Sequence, residues 1–240
     1  MSQEIAVIVG VGPGLGWALA RRFARAGMQT AIAARDLDKL KRLAEHGAPP
    51  DVPPGRVRPY VCDVAKAGDV ATLFETVGNE LGAPTVVVFN AGAFVRGGIL
   101  ESTADEFERC WRVGCRGGFL VGQAAARRMV ERGSGTIIFT GATASLRGGA
   151  GFANLAVPKF GLRALAQSMA RELGPKGVHV AHVIIDGQIE SERYQHLTEQ
   201  RGPDSLLAPD AIAEAYYQLH RQPRSAWTQE LDLRPWVEKF

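Results

Sequence analysis

The sequence predicts an α/β fold: one doubly wound parallel sheet with helices on both faces, in a single domain spanning residues 1–240. Three observations carry this. Six short runs rich in Val and Ile recur, at 5–9, 30–33, 57–62, 85–89, 136–139 and 178–185. Their continuous apolarity, in place of alternation, is what strands buried on both faces need. Segments of helical period separate the runs, and strand–helix alternation calls for right-handed crossovers onto a parallel sheet.

The elements follow in order. The first run passes into Gly10-Val11-Gly12-Pro13-Gly14-Leu15-Gly16, and Leu15, Leu19, Phe23 and Ala26 mark the helix that follows, with Gly27 as its C-cap. Asp36 N-caps a second helix with Leu37, Leu40 and Leu43 on one face. Pro49 to Pro54 makes a Pro-rich turn, too short to act as a linker between domains. Longer helices are predicted over about 104–132 and 152–174, stopped by Gly133 and by Gly174-Pro175. Pro158 is tolerable only near a helix start, because an interior Pro costs about 3 kcal/mol. Past Asp186 the pattern loosens over about 187–208, the expected mobile segment, before a last helix from Pro209.

Composition removes several function classes. Hydrophobic residues at 46% and charged residues at 22% oppose disorder. Twenty-eight basic against 25 acidic residues give +3 with no Lys/Arg run, so no nucleic-acid partner is expected. The longest apolar stretch near the start, residues 5–12, falls far below the roughly 20 residues that span a bilayer. It lacks a positive flank and a cleavage site, so neither a signal peptide nor a membrane partner is expected. Cys62, Cys110 and Cys115 form neither an even disulfide set nor a C-x-x-C pair, which points to a reduced, cytoplasmic protein without a metal site.

The strand-to-helix turn carries the first chemistry. Glycines at 10, 12, 14 and 16 let a phosphate approach the backbone and take N–H groups at the positive end of the helix opened by Leu15. Ligands of open parallel sheets sit beyond the carboxyl ends of the strands, which here carry Arg35, Asp63, Asn90-Ala91-Gly92 and Gly141. About 20 residues past the glycines, an NAD site offers an acid to the ribose 2′-hydroxyl. This chain has Ala34-Arg35 there, and a guanidinium suits a 2′-phosphate through bidentate charge-assisted bonds. NADP(H) is therefore favoured over NAD(H). NAD(H) stays the alternative if Arg35 is merely a solvated charge or Asp36 supplies the acid.

Together these landmarks resemble the short-chain dehydrogenase/reductase family from Ile5 through Asp186-Gly187. Gly10, Gly14 and Gly16 meet its G-x-x-x-G-x-G pattern, Asp63 in Cys62-Asp63-Val64 its adenine-binding Asp, and Asn90-Ala91-Gly92 its N-A-G run. The resemblance implies a three-layer α/β/α Rossmann-type domain that forms homodimers or homotetramers through its two long helices. It extends the cofactor contacts to Val64, Lys159, Gly187 and Ile189, and makes 187–208 the segment that closes over a small-molecule substrate.

The family's chemistry rests on an Asn, a Ser and a Tyr-x-x-x-Lys pair. Here Lys159 fits the Lys position, but Leu155, Ala142 and Gly114 occupy those of Tyr, Ser and Asn. Phe152, seven residues before Lys159, has the ring of a displaced Tyr without its hydroxyl. An aliphatic side chain neither gives a proton nor binds an oxyanion. Candidate replacements are Thr143, one residue from the lost Ser, and Tyr194 and His196 in the loose segment. The leading expectation is an NADP(H)-dependent oxidoreductase passing hydride to a small apolar carbonyl, enone or imine. The alternatives are a catalytically inactive nucleotide sensor or scaffold and, more weakly, a lyase or isomerase.

Overall fold

A computed structural model describes residues 3–47 and 50–238; Pro49 of the expected Pro-rich turn lies outside them. Seven strands form one parallel sheet: β1 (Ile5–Val9), β2 (Gln29–Ala34), β3 (Val57–Val61), β4 (Val86–Phe89), β5 (Gly135–Thr140), β6 (Val178–Ile185) and β7 (Glu230–Leu233). Their order, β3-β2-β1-β4-β5-β6-β7, reverses direction between β1 and β4. Six strands match the apolar runs of the sequence. The seventh, β7, was not expected: Glu-Leu-Asp-Leu is short, half polar, and pairs on one side only.

Alternate residues of β1 feed two cores, as a doubly covered sheet requires. Ala6 and Ile8 pack with α1 (Leu15–Arg25), α2 (Leu37–His46) and α8 (Pro209–Arg221). Ile5, Val7 and Val9 pack with α3 (Ala67–Glu80), α5 (Gly117–Arg132) and α6 (Ala153–Leu173) on the other face. The result is the three-layer α/β/α arrangement expected. Asp36 does cap α2, accepting from the Lys39 N–H at 3.0 Å. Gly27, at φ +87°, lies one residue past the Ala26 C-cap of α1.

Two helices differ from expectation. The segment read as one helix over 104–132 is α4 (Ala104–Trp111), a π-turn over Arg112–Arg116, and α5. Past that turn, a Cβ on Gly118 or Gly122 of α5 would collide with Leu162 or Phe139, and one on Gly117 would press on Val64 at 3.0 Å. Pro158 lies six residues into α6, deeper than its missing N–H favours, and is buried. The segment 187–208 is less irregular than its composition indicates: it holds a 3₁₀ turn, Glu192–Tyr194, and a short α7, Gln195–Arg201. Among the described residues no helix is long and apolar enough to cross a membrane.

Candidate functional site

Two cavities open at the carboxyl edge of the sheet. The larger, about 470 Å³, lies where the strand order reverses and includes Gly10, Gly12, Arg35, Asp63, Val64 and the 90–92 run in its wall. Open α/β sheets bind ligands at such a reversal. The four glycines divide into two pairs. At Gly10, φ is +94° and a Cβ would strike the Ala91 backbone; at Gly16 it would come within 2.8 Å of Val11 Cα. Those two are demanded by packing. At Gly12 and Gly14 a Cβ would meet nothing within 4 Å. The start of α1 has no side-chain cap and no acid in its first turn. An open cradle at an uncapped helix N-terminus fits a diphosphate. Leu15 buries its side chain in the core, leaving its backbone to face the turn.

The cradle is held from behind. Asn90 donates from Nδ2 to the Gly10 carbonyl at 2.9 Å, so its amide braces the turn. Asp63 Oδ1 accepts from the Ala65 N–H at 3.0 Å while the Asp63 N–H donates to Asp69, which fixes the loop after β3. Asp36 is committed to α2: the Lys39 N–H holds its carboxyl below the usual range. That leaves exposed Arg35 as the charge beside the cavity at the end of β2. Sequence reasoning missed Phe94, Arg109 and Val113, which also line it. The four-residue spacing of Arg109 and Val113 marks one helix face, but nothing in the sequence says that this face meets the cavity.

The smaller cavity, about 370 Å³, gathers Ala142, Thr143, Phe152, Leu155, Ile185 and Gly187. The structure thus brings Ala142 and Leu155, the residues expected at the Ser and Tyr positions, to one cavity. Phe152 stacks on Phe94 with ring centroids 5.1 Å apart. Gly114 stands elsewhere: a Cβ on it would come within 3.1 Å of Pro158 Cβ, so the small residue and the proline fit each other. Ile189 lines neither cavity and instead bridges to Leu207. Tyr194 is half-buried beside the Arg193 guanidinium, His196 is exposed, and neither lines either cavity.

Lys159 is buried, and its ammonium donates to the Thr140 carbonyl at 2.6 Å. It lines neither cavity wall. Burial pushes its pKa down to about 8. Between that value and the ordinary 10.5 the unfolded chain holds a proton the folded protein has lost, so stability rises with pH across this window. The gain is on the order of 3 kcal/mol. Urea unfolding at pH 7.5 and 10.5 should show it in the wild type and not in Lys159→Met. Parallel profiles for the two proteins would mean that the ammonium is solvated.

Two polar pairings were not legible in the sequence. The Thr143 hydroxyl donates to Asp186 Oδ1 at 2.5 Å, and Asp186 Oδ2 lies 3.2 Å from Arg234. Ser145 Oγ is 3.3 Å from His182 Nε2, whose Nδ1 faces Glu230 at 3.3 Å, and Glu230 is gripped by Arg163 at 2.6 and 2.7 Å. Ser145 and His182 have no exposed surface, and burial pushes His182 down to about 4. A neutral buried imidazole sealed from both cavities braces the turn after β5; Ser145 Oγ also accepts from the Ala142 N–H at 3.2 Å.

Fold, reversal point and glycine cradle define a dinucleotide-binding α/β protein. Residues 4–202 match the family model described as short chain dehydrogenase, and the chain belongs to that family of oxidoreductases. It is 33% identical over 192 residues to a (3R)-3-hydroxyacyl-CoA dehydrogenase from Canis lupus familiaris, covering 77% of this chain and 73% of that one. A short-chain dehydrogenase crystal structure from Rhodopseudomonas palustris is similar with TM-score 0.81 at 39% identity, covering 98% of this chain and 100% of the other. The alcohol dehydrogenase of Thermococcus sibiricus, complexed with 5-hydroxy-NADP, is similar with TM-score 0.82 at 27% identity, covering 99% and 98%.

Proposed function

We propose that this protein is an NADP(H)-dependent oxidoreductase acting on a small apolar carbonyl, enone or imine, or on the corresponding reduced product. One observation carries the reading: Arg35 stands at the cavity that holds the open glycine cradle, while Asp36 is consumed by the cap of α2. The bound nicotinamide supplies or takes the hydride. Gly12 and Gly14 leave room for the diphosphate, the start of α1 offers it N–H groups, and Asp63 and Val64 wall the adenine end. The apolar wall of Phe152, Leu155 and Ile185 favours a substrate with little polar surface. The 5-hydroxy-NADP complex of the Thermococcus relative supports the cofactor.

A second reading, a nucleotide sensor or scaffold without catalysis, draws on Ala142 and Leu155, which put no acid where the family keeps its own. Under either reading we propose a homodimer or homotetramer, supported by exposed Phe107, Trp111, Phe119 and Phe160 on the long helices. The proposal also includes a reducing, cytoplasmic setting, supported by three free cysteines.

Titration of the apo protein with NADPH and NADH tests the cofactor. NADPH should bind at least tenfold more tightly, and Arg35→Ala should erase that preference by weakening NADPH alone, as losing charged hydrogen bonds worth roughly 1.5–3 kcal/mol would. Equal affinities in the wild type would refute NADP selection. Failure of both nucleotides below millimolar would refute the dinucleotide site.

A further inference from the structure

We propose that Thr143 and Asp186 form the proton relay of this site, and that they do so in place of the family's tyrosine. The proposal rests on the oxidoreductase reading above. Thr143 carries the only hydroxyl among the described residues lining the smaller cavity, where Leu155 and Ala142 stand in the family's acid positions. Its proton is directed at Asp186 Oδ1 at 2.5 Å, the short end of the range for a hydroxyl on a carboxylate. A hydroxyl that gives its proton to a carboxylate keeps its lone pairs for an incoming donor. The arrangement is therefore that of a base, suited to an alcohol whose own O–H points at Thr143 Oγ1.

Topology explains why the pair meets. Thr143 follows the end of β5 and Asp186 directly follows β6, its neighbour in the sheet, so both side chains sit at one carboxyl edge. Asp186 is buried, and its Oδ2 lies 3.2 Å from the Arg234 guanidinium, which Asp232 shares, so the carboxyl is anchored with Oδ1 toward Thr143. Gly187, the next residue, lines the cavity and brings the backbone beside the substrate. Thr143 is then the catalytic residue, and Asp186 acts through it as the positioning and proton-accepting group.

The balance closes without a further reagent. A secondary alcohol loses hydride from its carbinol carbon to the oxidised nicotinamide and its hydroxyl proton to Thr143 Oγ1. The Thr143 proton moves to Asp186 Oδ1. The products are a ketone, the reduced nicotinamide and a protonated Asp186, which returns its proton to solvent. Ketone reduction is the same sequence reversed.

The test uses octan-2-ol and 1-phenylethanol with NADP⁺, alongside NADPH binding. Wild type should turn over at least one of them. Thr143→Val and Asp186→Asn should each lower kcat about 100-fold with KM and the NADPH Kd within twofold, and Thr143→Ser should recover to within about fivefold of wild type. In the cofactor-free protein, the double variant Thr143→Val/Asp186→Asn should unfold in urea no earlier than the weaker single variant, since one hydrogen bond is lost in either case. Turnover unaffected by Thr143→Val, or additive urea shifts, would overturn the relay and leave the oxidoreductase reading standing. So would NADPH binding without turnover of either alcohol. Absence of NADPH and NADH binding would overturn that reading itself. Thr143→Val keeps the test valid if Asp186→Asn fails to fold.

Discussion

Replacing Gly12 by Val should abolish nucleotide binding, by at least about 100-fold or roughly 2.7 kcal/mol, while leaving the melting temperature within a few degrees of wild type. A Cβ at this position meets nothing within 4 Å outside its chain neighbours, so the substitution opens into free space and not into the core. The space it fills is where, on the proposed function, a phosphate reaches the backbone. Gly10→Ala should instead strike at stability. Its φ of +94° and the collision with the Ala91 backbone together cost roughly 2–5 kcal/mol, or on the order of 10 °C in a protein of this size. Calorimetric titration and thermal melts on the two variants separate the roles. A Gly12→Val protein that still binds NADPH would show that the cradle is only a tight turn. A Gly10→Ala protein that melts like wild type would show that β1 and β4 do not meet there as closely as described.

The double variant Leu155→Tyr/Ala142→Ser should raise NADPH-dependent reduction of acetophenone by about 100-fold or more, the usual worth of a placed general acid. Both positions already line the 370 Å³ cavity, so the new hydroxyls enter it without a change of backbone. Residue 155 precedes Lys159 by one helical turn of α6, and that buried ammonium, its pKa pushed down to about 8, keeps a positive charge at neutral pH one turn away from the new phenol. Adding Gly114→Asn should reduce the gain, because its Cβ approaches Pro158 to 3.1 Å. Rates under saturating NADPH measure this directly. A double variant no faster than wild type would mean that this cavity is not where hydride reaches the substrate.

Much of this molecule was written in local pattern. Strands β1, β2, β4, β5 and β6 were readable because residues buried on both faces must be apolar, and β1 divides its side chains between two cores; β3, at the sheet edge, buries little beyond Val57. The glycine turn and the Asp36 cap were readable because backbone approach and unpaired helix N–H groups demand particular residue types at particular offsets. The glycines at 10 and 16 proved to be packing requirements and those at 12 and 14 open ones, a distinction no spacing contains. Strand β7 escaped because a short half-polar edge strand leaves no apolar run. The π-turn escaped because one extra residue per turn does not alter a helical pattern visibly.

Residues far apart in the chain were paired by strand order alone. Thr143 and Asp186 are 43 positions apart, and His182 and Glu230 are 48 apart. They meet because β5, β6 and β7 lie side by side: Thr143 and Asp186 follow the ends of neighbouring strands, and His182 and Glu230 are register partners of β6 and β7. Periodicity and turn chemistry act over a few residues and are visible in a linear string. A hydrogen bond between polar side chains is chosen only when the folded sheet brings them within about 3 Å and takes away the water they would otherwise bind.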